Sequence, residues 1–345
     1  MTVIKGLIFG FLWLVLLCGA NPVWADEDPS GTSTDSVGIA EKESKGPSKR
    51  GPAGRSQIHH PDHPVQLPNT TGPIVTDSAI IQPLKTWSAE INPTINFIGG
   101  VFNSNWQRRS AGGDYKSFQV PAQLNYGLTP RMDISLTVPF IQNWASNGGQ
   151  LSQAANFGSL GDTSLVLRYM FLNGSPTATT VTGYVSVLFP TGHASPLEPK
   201  FLGIDQTGGG AFGFTWGVDV FKYVPQGPIL LYANIWYTNF ADGWVNGARV
   251  YYPDQFTVNL AMEVPFKNSP SNRWAFLLEV TSNWDAGRMF GPKANQAPTA
   301  IVNVLPALEF LPFSWFTLAA GVQVSLIGKK TPYAYTPTLA LFISF

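Results

Sequence analysis

Apolar and polar residues alternate with a period of two through most of the chain after residue 80. In MDISLTVPF (132–140), apolar residues hold every second position, and Asp133 and Ser135 stand between them. Strict alternation over this length indicates β-strands that have one apolar and one polar face. We predict twelve such strands, near residues 87–100, 117–126, 132–140, 164–171, 178–190, 212–220, 229–240, 256–264, 273–285, 297–310, 316–326 and 335–345.

The segments between the predicted strands are alternately short and long. The short ones are rich in residues that permit tight reversals, in the sequences GLTPR, NGSP, PQGP, KNSPSN and LPFS. The longer ones lie near residues 104–112, 141–157, 191–208, 241–253, 286–296 and 327–334. Short turns at one edge and longer loops at the other are typical of bacterial outer-membrane barrels. We therefore predict an all-β fold, a transmembrane antiparallel β-barrel of about 12 strands with both chain ends on the short-turn side.

The last predicted strand ends on an aromatic residue, Phe345. A sheet in hydrocarbon cannot leave backbone N–H and C=O groups unpaired, so this strand is expected to pair with the first. The terminal Phe resembles the C-terminal signal that the barrel-insertion machinery of the outer membrane recognises. Lipid and that machinery are therefore predicted partners. Aromatic residues also recur at the ends of the apolar faces, where they predict two interfacial girdles.

Composition supports a surface that does not face water everywhere. Only 12% of the residues are charged, whereas soluble domains contain about 25%. A soluble β-sandwich is the alternative, but its outer faces would need many charged positions, and the outward sets here contain almost none. Basic and acidic residues balance at 21 each, so nothing indicates a nucleic-acid partner.

The N-terminal part differs from the rest of the chain. Residues 1–25 have a Lys5 start, an apolar stretch and the small-residue sequence VWA, and predict a signal peptide cleaved after Ala25, with an uncleaved anchor as the alternative. The single cysteine, Cys18, lies in that segment. Residues 26–80 are polar and rich in Pro, Gly and Ser, and predict a disordered periplasmic segment before a barrel at 81–345. The predicted location is the outer membrane.

The inward faces of the strands carry several acids near their short-turn ends, with Arg168 as the one clear base there. One hypothesis is that these groups bond to each other and stiffen the wall, with Arg168 paired to Asp133 or another acid. The other is a passage with an acidic inner mouth, which would disfavour anionic solutes. The candidate lumen residues are Glu90, Asp133, Arg168, Asp219, Glu263, Glu279 and Glu309.

A barrel of this width requires an internal constriction, from side chains or an inward-folded loop. The loops at 141–157 and 191–208 are the candidates, and Tyr184, Phe221 and Trp236 are expected to point inward, where they either contact a solute or fill space. The basic residues of the polar segment also allow it to plug the acidic mouth, the alternative being a free linker. These residues are Lys45, Lys49, Arg50 and Arg55.

Reactive groups are scarce. Residues 59–63, HHPDH, offer three imidazoles and Asp62 to a metal, but their setting is the segment predicted to be disordered. His193 is the only histidine of the barrel region and lies in a predicted loop, PTGHASP, so a hydrolase site is the weakest hypothesis. We predict no enzymatic activity, no catalytic residue, no metal site and no cofactor.

Three stretches carry a family resemblance. VPAQLNYGLTPRMDISLTVPF, GSLGDTSLVLRYMF and VLFPTGHAS occur in this order within residues 115–345. They resemble the outer-membrane proteins of the meta-pathway of phenol degradation. The resemblance implies a barrel that passes hydrophobic or aromatic compounds, and it assigns no functional residue. We therefore predict an outer-membrane channel for small solutes that pass by passive diffusion. The alternative is a structural or adhesive barrel with a closed lumen.

Overall fold

The computed structural model describes residues 70–110, 112–147, 154–174, 179–268, 271–289 and 291–345. They form a closed antiparallel barrel of 12 strands, so the predicted fold class is confirmed. Within these ranges no helix is long and apolar enough to cross a membrane. The strands are β1 (Trp87–Ile91), β2 (Thr94–Phe102), β3 (Arg108–Arg109), β4 (Gly113–Thr129), β5 (Met132–Asn147), β6 (Ala154–Leu160), β7 (Thr163–Leu172), β8 (Thr180–Phe189), β9 (Gly213–Val224), β10 (Ile229–Phe240), β11 (Gly243–Val245), β12 (Ala248–Val250), β13 (Asp254–Pro265), β14 (Trp274–Ala286), β15 (Ala300–Phe313), β16 (Phe316–Lys329) and β17 (Thr331–Ser344).

Two of the 12 barrel strands are interrupted, and three further short strands are not counted among the 12. β1 and β2 are successive parts of one barrel strand, and so are β6 and β7. β3 pairs only with the end of β2, and β11 and β12 form a separate hairpin in a loop. In the described part of the chain, a 3₁₀ turn at Pro199–Phe201 lies in the loop between β8 and β9.

The barrel closes between the last strand and the first, as predicted. β17 pairs with both β1 and β2. At the seam, the Trp87 N–H donates to the Phe345 carbonyl, and the Phe345 N–H donates to the Trp87 carbonyl, both at 3.0 Å. Closure removes the free edge that an open sheet would present, which is the condition for a sheet in hydrocarbon.

The apolar faces point away from the enclosed lumen. Leu136, Trp216 and Leu308 are 42%, 50% and 49% exposed on the outer wall. The residues that alternate with them face inward, and many polar ones among them are buried. In a two-sheet sandwich the apolar faces would pack together, so the alternative of a soluble sandwich is wrong for this chain.

Two of the predicted loops are largely strand. β16 runs to Lys329 and β17 starts at Thr331, so only Lys330, with a left-handed φ of 51°, replaces the predicted loop at 327–334. β5 and β6 also occupy most of the predicted loop at 141–157. Lys-Lys is not a typical turn sequence, because left-handed conformations favour Gly and Asn, and the sequence therefore hid this reversal.

Candidate functional site

Residues 70–83, here called the floor segment, lie inside the barrel near the short turns. Side chains of the inner wall hold this segment through hydrogen bonds around the lumen. In order along the segment, the partners are Glu309 on β15, Glu279 on β14, Asn234 on β10, Arg168 on β7, Thr182 on β8 and Asp133 on β5. The segment therefore follows the wall around much of the barrel before the chain enters β1.

The structure differs from the sequence-based prediction at residues 70–80, which belong to the segment 26–80 that was expected to be disordered. Residues 70–80 are ordered, and Thr76, Ala79 and Ile80 are buried. The sequence PIVTDSAII contains enough apolar residues to cover an inner wall, and this feature could have indicated that these residues are ordered. The predictions for residues 1–69, including the signal peptide, HHPDH and the basic residues at 45–55, lie outside the described residues.

Glu279 binds the floor segment most tightly. Its carboxylate accepts backbone N–H groups of three successive residues, Ile74 at 2.7 Å, Val75 at 3.1 Å and Thr76 at 2.7 Å. Successive N–H groups that converge on one anion form a nest, and their bonds to a charged acceptor are stronger than neutral ones. The Glu279 side chain is fully buried. A buried carboxylate in such a nest fixes both the position and the direction of the segment.

Two further acids lie beneath the start of the segment. Glu309 accepts the hydroxyl and the N–H of Thr71, at 2.8 Å and 3.3 Å. Glu263 accepts the Tyr232 hydroxyl at 2.8 Å, and its other oxygen is buried without a partner among the described residues. Both side chains are fully buried and therefore contact the segment and the wall instead of an open passage.

Arg168 and Asp133 form a buried, bidentate ion pair. Arg168 Nε and Nη2 donate to the two Asp133 oxygens at 2.9 Å and 2.6 Å, and Nη1 donates to the Ser78 carbonyl at 3.0 Å. Asp133 also accepts the Gln82 N–H at 2.7 Å. The pair is 2% and 0% exposed. The pairing of Arg168 with Asp133 agrees with the hypothesis drawn from the sequence. The ion pair also links the floor segment to β5 and β7.

All seven predicted lumen residues face inward, but six of them do not line an open mouth. Glu90 is half-buried and borders the cavity described below. The expected acidic inner mouth is therefore covered by the floor segment, whereas the plug hypothesis relied on the basic residues at 45–55. The six buried residues are Asp133, Arg168, Asp219, Glu263, Glu279 and Glu309.

The inner wall at this level also contains apolar side chains. Leu277 and Leu305 are fully buried and pack with Ile74 of the segment. Phe221 is buried in a cluster with Ala79 and Ile80, so it fills space, one of its two predicted roles. This part of the lumen is a packed core, not the passage with an acidic inner mouth that was one of the two hypotheses.

A cavity of about 290 Å³ lies on the loop side of the floor segment. Its lining includes segment residues 73–78, hydroxyl and amide side chains of β4, β5 and β7, and two aromatic residues, Tyr184 and Trp236. The two rings stack with centroids 4.8 Å apart and an interplanar angle of 22°. Both were predicted to point inward, and they form the aromatic part of the cavity wall. The same pair also borders an apolar groove of about 570 Å³, together with the outward-facing Trp216 and Phe256.

A glycine makes the aromatic stack possible. Gly217 on β9 lies directly between Tyr184 on β8 and Trp236 on β10 in the strand register. A Cβ at this position would lie 2.7 Å from Trp236 Cδ1 and collide with the Ile235 carbonyl oxygen. Because no side chain intervenes, the two rings meet across the strand.

Replacing Gly217 with Val is expected to separate the two rings and to lower the free energy of unfolding by about 1–3 kcal/mol, the typical cost of overpacking. Near-ultraviolet circular dichroism should show a weaker aromatic signal, and the unfolding midpoint in detergent should fall. Gly287→Ala is the control, because no atom lies within 4 Å of a Cβ there. Equal spectra for wild type and Gly217→Val would contradict the proposed origin of the stack.

The loop between β8 and β9 narrows the lumen from the other end. Asn143, on the inward face of β5, donates to the Ile204 carbonyl at 2.9 Å, and Thr207 donates to the Leu160 carbonyl at 2.7 Å. Asp162 accepts the N–H groups of Gly192 and Gly209 at 2.9 Å and 2.7 Å. Of the two predicted constriction loops, the one at 191–208 has these contacts with the wall.

The contacts of His193 are structural. Its N–H donates to Thr207, its ring Nε2 lies 2.8 Å from the Pro196 carbonyl, and its ring packs on Phe157. None of its described contacts is a serine hydroxyl. Within the described ranges, no group of three or more His, Cys, Asp or Glu residues is arranged to hold a metal ion.

Comparison with known proteins bears on the fold. No family model and no curated protein matches the chain. The COG4313 outer membrane channel from Pseudomonas putida F1 matches with a TM-score of 0.63 at 12% sequence identity, over 79% of this chain and 99% of that one. The chain has the fold of that channel. The beta domain of the Bordetella autotransporter Brka matches with a lower TM-score of 0.46 at 11% identity, over 76% of this chain and 100% of that one.

Proposed function

We propose that the protein is an outer-membrane channel that passes small hydrophobic or aromatic solutes by passive diffusion. The observation that carries the proposal is the cavity that the stacked Tyr184 and Trp236 border inside a closed barrel. The apolar outer wall supports a location in lipid. One solved structure that shares this fold is described as an outer membrane channel, which supports transport over the other functions of barrels.

The aromatic pair supports the choice of solute class. Tyr184 and Trp236 border both the cavity and the apolar groove, so one layer of aromatic side chains and the glycines at 183 and 217 separate the two spaces. Flat apolar molecules pack favourably against such rings. The sequence resemblance to the outer-membrane proteins of phenol degradation makes phenol itself the first solute to assay.

A structural or adhesive barrel is the second candidate. The bonds that hold the floor segment to six strands favour it, because they close the inner end of the lumen. The channel proposal requires a solute to pass this segment, and the two candidates therefore predict opposite results in a transport assay.

Cells that produce the protein are expected to take up phenol faster than cells that do not, and a Trp236→Leu variant should lose most of the gain. The measurement is the initial uptake rate of radiolabelled phenol at low concentration in a Gram-negative host lacking its general porins. Trp244→Leu is the matched control, because Trp244 is 59% exposed on the loop hairpin. Uptake equal to that of cells without the protein would support the closed structural barrel.

The proposal also includes the route into the membrane. Phe345 is 60% exposed at the end of the closing strand, beside its bonds to Trp87. An aromatic side chain at this exposed end is accessible to the barrel-insertion machinery before the seam forms. Lipid then covers the outer wall.

A further inference from the structure

Asp77 places a carboxylate in the lumen cavity. Its backbone is fixed on both sides by Asn234, which accepts the Asp77 N–H at 2.8 Å and donates to the Asp77 carbonyl at 2.9 Å. The side chain borders the cavity and is half-buried. Among the described residues no donor bonds to its carboxylate. A fixed, partly desolvated carboxylate without a donor is a strong attractor for a cationic ligand.

The charges around the cavity are negative in sum. Asp77, Glu90 and Arg168 are the charged residues of its lining. The described bonds of Arg168 go to Asp133 and the Ser78 carbonyl, so its charge is already compensated. Asp77 therefore adds a negative charge that accepts no hydrogen bond from the described residues. A confined space whose wall carries such a charge concentrates counter-ions of the opposite sign.

Asp219 adds a third carboxylate behind the aromatic pair. It is fully buried, and its Oδ1 accepts the Trp236 indole N–H at 2.8 Å and the Asn234 amide at 2.9 Å. Its Oδ2 is buried without a partner among the described residues. An indole that donates to a carboxylate has a more electron-rich ring, and Trp is the side chain whose face attracts cations best. The aromatic wall and the Asp77 carboxylate therefore favour the same kind of ligand.

We propose that this cavity binds a small organic cation, with the ammonium group against Asp77 and the organic part against Tyr184 and Trp236. This inference rests on the proposed function and names its preferred solute class, aromatic or alkyl amines. The volume of about 290 Å³ is close to the lower end of the range for small-molecule pockets, about 300–1,000 Å³. A substituted benzene with an amine fits within it.

Isothermal titration of the purified full chain in detergent, at neutral pH and with micelle blanks, tests the site. The probes are benzylamine, benzyl alcohol and benzoate, which have similar shapes and positive, zero and negative charge. Benzylamine should bind about tenfold more tightly than benzyl alcohol, the scale of one desolvated cation–carboxylate and cation–π contact, and benzoate should bind least. Asp77→Asn should weaken benzylamine binding about tenfold and leave benzyl alcohol unchanged.

Glu198→Gln is the matched control, because it removes the same charge from an acid half-exposed in a loop, and it should bind benzylamine as the wild type does. Equal affinities of the wild type for benzylamine and benzyl alcohol would overturn the inference, and this comparison needs no variant to fold. An unchanged benzylamine affinity in Asp77→Asn would overturn it as well. The titration does not depend on transport. Amine binding without phenol uptake would therefore contradict the channel alone, and uptake without amine preference would contradict the site alone.

Discussion

Removing residues 26–83 while keeping residues 1–25 is expected to raise the single-channel conductance several-fold. The floor segment fills the short-turn end of the lumen through its bonds to Glu279, Glu309 and Asp133. Without it, water and ions would reach carboxylates that are now buried, and the widened acidic passage should favour cations over anions. Conductance and reversal potential in planar lipid bilayers measure both effects.

Deletion of residues 26–69 alone is the control for this experiment. It leaves every described bond of the floor segment in place, so the conductance should stay at the wild-type value. A rise in that variant would show that the preceding residues close the lumen as well. An unchanged conductance after removal of residues 26–83 would contradict the role of the segment as the barrier.

Replacing Asp133 with Asn is expected to lower the free energy of unfolding by about 3–5 kcal/mol, because it leaves the Arg168 guanidinium buried without its counter-charge. Arg168 is 2% exposed and Asp133 is 0% exposed, so solvent has little access to the guanidinium. Unfolding by denaturant in lipid vesicles, followed by Trp fluorescence, measures the change.

Glu198→Gln again supplies the comparison. The Lys200–Glu198 pair has the same 2.6 Å separation as the Arg168–Asp133 pair, but its side chains are 65% and 50% exposed. An exposed pair contributes less than about 1 kcal/mol, so this variant should unfold almost as the wild type does. Similar losses in the two variants would contradict the argument that burial makes the inner pair important.

The predicted strands correspond to the barrel because alternation is a local property. In hydrocarbon, each strand needs an apolar residue at every outward position, and this requirement leaves a two-residue period in any stretch such as 132–140. The predicted ends of strands were less accurate. β5 extends to Asn147 and β16 to Lys329, because a strand that rises beyond the membrane needs no apolar face and so leaves no period.

The site was predicted only in part. The sequence indicated which acids face inward, and the pairing of Arg168 with Asp133 or another acid was one of two hypotheses. The structure places Arg168 and Asp133 opposite each other on neighbouring strands. The sequence did not indicate that Glu279 and Glu309 hold residues 71–76. The Thr71–Glu309 bond joins residues 238 positions apart, and no local pattern specifies such a contact.

The sequence by itself determined the all-β architecture, the number of strands, the lipid-facing side of each one and the inward direction of the acids. Tertiary structure alone decided that residues 70–83 lie inside the barrel, that the acids are covered, and that Tyr184 and Trp236 meet across Gly217. The physical reason is distance along the chain. The face of a strand follows from its nearest neighbours, whereas the filling of a lumen depends on the register of strands that closure brings together.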